Sequence, residues 1–336
     1  KKKTHISLKL LEMVLQILIL VLGFVCLVKG SDWFVDGAAG IATKFGIPQL
    51  IIGLTIVAMG TSAPEAAVSI TAAFNGSADI TIGNIVGSNI LNVLIILGLS
   101  AVVYPLTVDS STLKKDIPIT ILATALLLLL GLDGNITRID GIIFLVIFTA
   151  YMIYLIVSTK KTIALSKEAI HEELDKSQET EEKPKSFWIL LALTVIGLGL
   201  VILGSRFVVN SATFIAKKFG WSESFIGLTI VALGTSLPEL FTSVMAAAKK
   251  NCDIAIGNII GSNLFNILFV VGLSSLIIPV PFAKDFLVDT IVALVSVVAL
   301  LLFCLPKKRL SRFGGVIFLL GYVAYFVFWL LNTRIN

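Results

Sequence analysis

Apolar residues come in long runs separated by short polar intervals, and a run of about 20 residues is what an α-helix needs to cross a bilayer. Such runs lie near residues 11 to 29, 48 to 73, 79 to 101, 115 to 131 and 138 to 157. Five more follow near 187 to 208, 224 to 247, 253 to 278, 285 to 304 and 313 to 332. The pattern predicts ten transmembrane helices and an all-α, polytopic membrane protein. The first run has no small-residue cleavage site before the charged stretch Lys29 to Asp36, so it is expected to remain as a signal anchor. Composition agrees, with 57% hydrophobic and 14% charged residues, proportions that exclude an ordinary soluble domain.

The runs also repeat. IIGLTIVAMGTSAPE at 51 to 65 matches FIGLTIVALGTSLPE at 225 to 239 at 12 of 15 positions, an offset of 174 without gaps. The same offset aligns GSDWFVDGAAGIATKFG (30 to 46) with GSRFVVNSATFIAKKFG (204 to 220). It also aligns DITIGNIVGSNILNVLIILGLS (79 to 100) with DIAIGNIIGSNLFNILFVVGLS (253 to 274), and Arg138 and Gly141 with Arg312 and Gly315. A duplicated five-helix unit follows: residues 1–157 form one copy and 187–336 the other. Because five is odd, the second copy must enter the membrane upside down, the inverted repeat of secondary transporters.

Lys and Arg number 16 in the loops after helices 1, 3, 5, 7 and 9, against 10 in the other loops and both tails. The positive-inside rule then puts the 16 in the cytoplasm and both termini outside a plasma membrane. Residues 158–186 carry six Lys and seven Asp or Glu and read as a polar cytoplasmic linker. The net charge of +5 suits loops facing anionic lipid, and no basic stripe with interleaved aromatics points to nucleic acid. Cys26, Cys252 and Cys304 are far apart and read as buried thiols; His5 and His171 fall in a tail and the linker, leaving no zinc or copper ligand set. No cofactor is implied, and the chain is expected to act as a monomer in the lipid bilayer.

The chemistry sits in the best-matched segments. Glu65 and Glu239 are the acids well inside apolar runs, where an ionisable group costs roughly 2.5 to 3.5 kcal/mol on insertion scales. Pro64 lacks an amide hydrogen, so the Gly60 carbonyl loses its helical partner, and Pro238 does the same to Gly234. Thr61 and Ser62 lie one turn before Glu65, as Thr235 and Ser236 do before Glu239. Carboxylate, hydroxyl and freed carbonyl oxygens form the oxygen-only shell that hard cations require. In the next helix of each copy, Ser88 with Asn92 and Ser262 with Asn266 stand one turn apart and add neutral oxygens. Gly83, Gly87, Gly257 and Gly261 allow close helix packing. Asp79 and Asp253 are expected as helix N-caps. Lys29, Asp32, Asp36, Arg206 and Asp289 are expected at segment ends, without a special role. A purely structural carboxyl is the competing reading for each glutamate, and its recurrence with the same break in both copies argues for a site.

The paired GTSxPE and GNxxGSNxxN segments resemble the alpha repeats of the sodium/calcium exchangers, within the cation/calcium antiporter superfamily, over nearly the whole chain. The resemblance implies exchange of sodium for calcium by alternating access, with helices 1 and 6 sliding across a fixed four-helix core. It implies a calcium site of Glu65, Glu239 and the backbone oxygens of Thr61 and Thr235. It likewise implies one flanking sodium among Ala58, Thr61, Ser62, Glu65 and Ser88, and another among Ala232, Thr235, Ser236, Glu239 and Ser262. Some relatives, including the potassium-dependent branch, carry Asp where this chain has Asn266. With Asn92 and Asn266 neutral, two glutamates are the whole fixed charge, which points to potassium-independent exchange. A proton/calcium antiporter and a cation channel are the alternatives. An enzyme is disfavoured, since no P-loop, HExxH or nucleophile triad occurs.

Overall fold

The computed structural model describes residues 2–173, 186–219 and 232–335. Helix α1 runs Lys2–Phe45. A broken span follows, made of α2 (Gln49–Ile52), a π-turn at Gly53–Val57, α3 (Ala58–Thr61) and α4 (Ala63–Phe74). The next span joins α5 (Asp79–Leu91), a π-turn at Asn92–Leu97 and α6 (Gly98–Val103). Strand β1 (Leu106–Thr107), α7 (Ile117–Leu130), strand β2 (Asn135–Ile136) and α8 (Arg138–Glu173) complete the first half. The second half repeats this order with α9 (Phe187–Lys218), α10 (Ala232–Thr235), α11 (Leu237–Ala248), α12 (Cys252–Leu264), a π-turn at Phe265–Val271 and α13 (Gly272–Ile277). It ends with β3 (Val280–Pro281), α14 (Lys284–Cys304), β4 (Arg309–Leu310) and α15 (Arg312–Ile335).

Among the described residues eight helices are long and apolar enough to cross a membrane, and the bent pair Gln49–Thr61 and Ala63–Phe74 makes nine. The span expected at 224 to 247 is described only from Ala232. Two expectations fall short of what forms. α1 does not stop at its first charges but carries the polar stretch on as helix to Phe45, because Asp32 and Asp36 are paired there with Lys249. α8 likewise continues into the stretch read as a linker, to Glu173; residues 174–185 lie outside the described part.

Burial separates an inner layer from an outer one. In Ile80–Val103 and Cys252–Ile277, 78% and 94% of the most apolar stretch is buried, against 11–39% for the six other spans. Those outer helices turn Ile139, Val146, Leu320 and Val323 outwards, as lipid-facing surfaces require. The halves are stitched together by cross-pairing: β1 with β4 through Leu106↔Leu310, and β2 with β3 through Asn135↔Pro281. The repeated arginines close the same seam. Arg138 donates to the Ile277 carbonyl at 3.2 Å and Arg312 to the Val102 carbonyl at 3.1 Å, each a cation at the C-terminal end of the other half's inner helix.

α1 and α9 form a layer of their own. Gly23, Gly30 and Gly37 recur every seventh residue on α1 and face Gly204, Gly197 and Thr194 of α9. A seven-residue period keeps small residues on one seam, so the backbones approach closely. A Cβ on Gly197 would stand 2.5 Å from the Phe34 amide nitrogen. Polar ties hold this pair to the core. Lys249 reaches Asp32 and Asp36 on α1, at 2.6 Å each, and Ser205 of α9 donates to the Gly234 carbonyl at 2.6 Å. Gly197→Val is expected to force the helices apart and lower stability by about 1–3 kcal/mol, read as a fall in the thermal unfolding midpoint of the purified protein.

Candidate functional site

Both helix breaks have the same local cause. Ser62 leaves helical geometry at φ −82°, ψ 5°, and Ser236 does so at φ −87°, ψ 5°. Pro64 and Pro238 then take the second position of a new helix, where a missing amide hydrogen costs nothing. The span from Gln49 to Phe74 bends by 50° at this point. Each restart puts its glutamate in a first helical turn, where the free amides favour negative charge. Glu65 and Glu239 are each only 1% exposed.

The hydroxyls reach across the halves. Ser62 Oγ donates to Glu239 Oε1 at 2.7 Å, and Ser236 Oγ lies 3.2 Å from Glu65 Oε1 and 3.2 Å from Ser88 Oγ. This differs from the flanking sets that the resemblance implies, which keep Ser62 with Glu65 and Ser236 with Glu239. The two breaks lie side by side, so each serine faces the opposite carboxylate. Ser262 Oγ meets the Ala58 carbonyl at 3.4 Å, and Thr61 Oγ1 meets the carbonyls of Val57 and Ala58 and Asn258 Oδ1. Thr235 lies against Glu65, and Ala232 opens α10. Ser205 donates to the Gly234 carbonyl, which leaves that oxygen one lone pair for a further partner.

Asn92 and Asn266 are fully buried on the π-turns of the two inner helices. A π-turn widens the helix locally and is common at functional positions. Four oxygens stand out: Glu65 Oε2, Glu239 Oε2, Asn92 Oδ1 and Asn266 Oδ1 are buried with no hydrogen-bond partner among the described residues. Buried polar atoms are nearly always paired, and an orphaned oxygen marks a place for a donor or a cation. Among the described residues no three of His, Cys, Asp and Glu gather anywhere. The site therefore offers two carboxylates amid neutral oxygens, the donor set of a hard cation rather than of zinc or copper.

Several residues around the site are ones that sequence reasoning leaves without a role. Asn84 donates to the Glu65 carbonyl and to Ser69 Oγ, and Asn258 donates to Ser243 Oγ. Asn89 and Asn263 contact the central asparagines. Each pair is duplicated at the 174-residue offset, and that duplication is the signal that could have found them. Asp289 is no idle segment end: it accepts a 2.8 Å hydrogen bond from Tyr325 and lines a cavity of about 420 Å³ whose wall also includes Ser88 and Thr235. Asp79 and Asp253 are not N-caps; α5 begins at Asp79 itself and α12 at Cys252, so both sit in first turns.

Ser62→Ala would leave Glu239 Oε1 without its donor. The expected loss is about 1–3 kcal/mol of stability, measured by thermal unfolding in detergent without added cation.

Comparison with known proteins agrees with this geometry. The family model described as sodium/calcium exchanger protein matches residues 15–157 and again 189–331, two segments offset by the same 174 positions. A putative antiporter CaxA of Alkalimonas amylolytica is 40% identical over 93% of this chain and 98% of its own length. Sodium/calcium exchanger MaX1 of Methanosarcina acetivorans is 32% identical, covering 92% of this chain and 97% of its own. The solved structure of the sodium-calcium exchanger NCX_Mj soaked with Na+ and Sr2+ superposes with TM-score 0.80 at 33% identity, over 94% of this chain and 99% of that one. An all-helical, multi-pass membrane chain with this repeat and this oxygen-lined centre belongs to the sodium/calcium exchanger family.

Proposed function

We propose that the protein is a secondary antiporter that exchanges Na+ for Ca2+ by alternating access, independently of K+ and with net charge movement. The four orphaned oxygens contributed by both halves carry this reading. Two glutamates give a fixed charge of minus two, which one Ca2+ neutralises, as do two Na+. A third Na+ exchanged for one Ca2+ leaves one positive charge to move. Calcium takes the centre, between Glu65, Glu239 and the backbone oxygens of Thr61 and Thr235. The sodium ions take flanking positions around Glu65, Ser88 and Ser236, and around Glu239, Ser62, Ala58 and Ser262, with Thr61, Thr235 and Ala232 at the margins. Each flanking set draws on both halves, because the serines reach across. Since both ions need the same carboxylates, bound calcium excludes bound sodium, and the two fluxes are coupled. Neutral Asn92 and Asn266 leave no further carboxylate to hold K+.

The chain crosses the membrane ten times as two inverted units, with the termini outside the plasma membrane, and works as a monomer. Support for inversion comes from the seams, where the segment after the third span pairs with that after the ninth, and the segment after the fourth with that after the eighth. Alternating access follows from the layer formed by α1 and α9. Its backbone-close packing favours movement as a unit, and its polar ties at Lys249 and Ser205 can break and reform at little cost.

Radioactive Ca2+ uptake into proteoliposomes tests this. Uptake is expected when Na+ is loaded inside and K+ is absent, and uptake driven by a pH gradient but not by Na+ would replace sodium with protons as the counter-ion. Glu65→Gln is expected to abolish transport of both ions in the same assay. Asn266→Asp adds a third carboxylate and is expected to change the Na+, Ca2+ and K+ dependence; unaltered dependence counts against the charge argument.

A further inference from the structure

Asn92 and Asn266 can help a cation only if their amides present oxygen, since the opposite rotation would aim a positive-edged NH2 at it. An asparagine amide is symmetric in shape, so shape cannot choose between the two orientations; only its hydrogen bonds can. Asn89 holds the deciding position for Asn266. Asn89 Nδ2 lies 3.3 Å from the main-chain carbonyl of Asn263, and a carbonyl can only accept. Asn89 must therefore donate there and turn its Oδ1 the other way, where Asn266 Nδ2 lies 3.1 Å from it. An amide oxygen can only accept, so Asn266 is in turn obliged to spend its NH2 on Asn89. Its own Oδ1 is left buried and without a partner among the described residues. The sequence of obligations starts at a backbone group that no rotation can alter.

The other half is built from the same residues with a weaker start. Asn92 Nδ2 donates to Asn263 Oδ1 at 2.9 Å, but Asn263 Nδ2 is itself buried without a partner among the described residues. Among the described residues no backbone group fixes the orientation of Asn263 and Asn92, whereas Asn89 is anchored.

We propose that Asn89 is a positioning residue that locks the Asn266 amide with its oxygen toward the transported cation, and that Asn263 does the same for Asn92 less firmly. This rests on the exchanger reading above, and extends it to two residues that touch no ion. A ligand-orienting partner of this kind is worth about 10–100-fold in metal affinity.

The test uses the purified full chain and Ca2+ alone, with binding followed by calorimetry. Asn89→Leu keeps the branched shape and removes the acceptor, and is expected to weaken Ca2+ binding by at least about tenfold. In the Asn266→Asp background the same change is expected to cost less than about twofold, because a carboxylate offers oxygen whichever way it turns. An equal loss in both backgrounds would mean that Asn89 merely holds α5 against α12, and would overturn the proposal, as would no loss in either. If Asn89→Leu does not fold, Asn263→Leu with and without Asn92→Asp poses the same question in the other half, with a smaller first loss expected. A loss there that is equal in both backgrounds, or absent, overturns the proposal too. Calcium binding stays readable if flux turns out not to be driven by sodium, so failure of the exchange reading and failure of this one are distinguishable.

Discussion

Two carboxylates buried between the helices of a membrane protein are the constraint on which the rest of the structure depends. Each is almost wholly removed from solvent, and each has one oxygen met by a serine from the opposite half and one without a hydrogen-bond partner among the described residues. Hydroxyl groups can soften the cost of such a pair but cannot cancel two like charges in a low-dielectric interior. A cation can. The broken helices, the orphaned amide oxygens and the close-packed inner layer all make sense as a frame that keeps those charges apart from water and together with an ion.

The duplication explains why this frame is so nearly symmetric, and its departures from symmetry are as informative. Ser205 bonds the Gly234 carbonyl of the core, whereas its counterpart Ser31 bonds Val28 within its own helix. Lys249 ties Asp32 and Asp36 of α1 to the core, while the equivalent positions of the other half hold Asn75, Arg206 and Asn210. The ties between the α1/α9 layer and the core are thus different at the two ends of the molecule. Burial alone would favour the uncharged form of Lys249, but the two carboxylates outweigh it and raise its pKa, so the lysine is charged at neutral pH and loses its proton only as pH rises past that raised value.

Much of this is legible in the sequence. Proline two residues after serine, followed by glutamate, in two apolar runs, announces the breaks at Ser62 and Ser236. What stays hidden there depends on distances between segments remote along the chain. Spacing within one helix suggests that Ser62 serves Glu65; only the placement of the second half reveals that it serves Glu239. The polar residues of α1 read as the end of a span because Lys249, over 200 positions away, is what makes their burial tolerable. Asp289 reads as an interfacial residue because Tyr325, its partner, lies on the next helix. The second-layer asparagines at 84, 89, 258 and 263 are duplicated as faithfully as the glutamates, but amides have too many ordinary uses in membrane helices for duplication alone to assign them.

Both transported ions are held, on this reading, by the same two charges. Calcium affinity of the purified protein, titrated at a series of fixed Na+ concentrations, tests that most directly. Neutralising two carboxylates takes two sodium ions or more, so by linkage the logarithm of the apparent Kd for calcium should rise with the logarithm of Na+ concentration at a slope of about 2 or higher. A calcium affinity that does not change with sodium would contradict it.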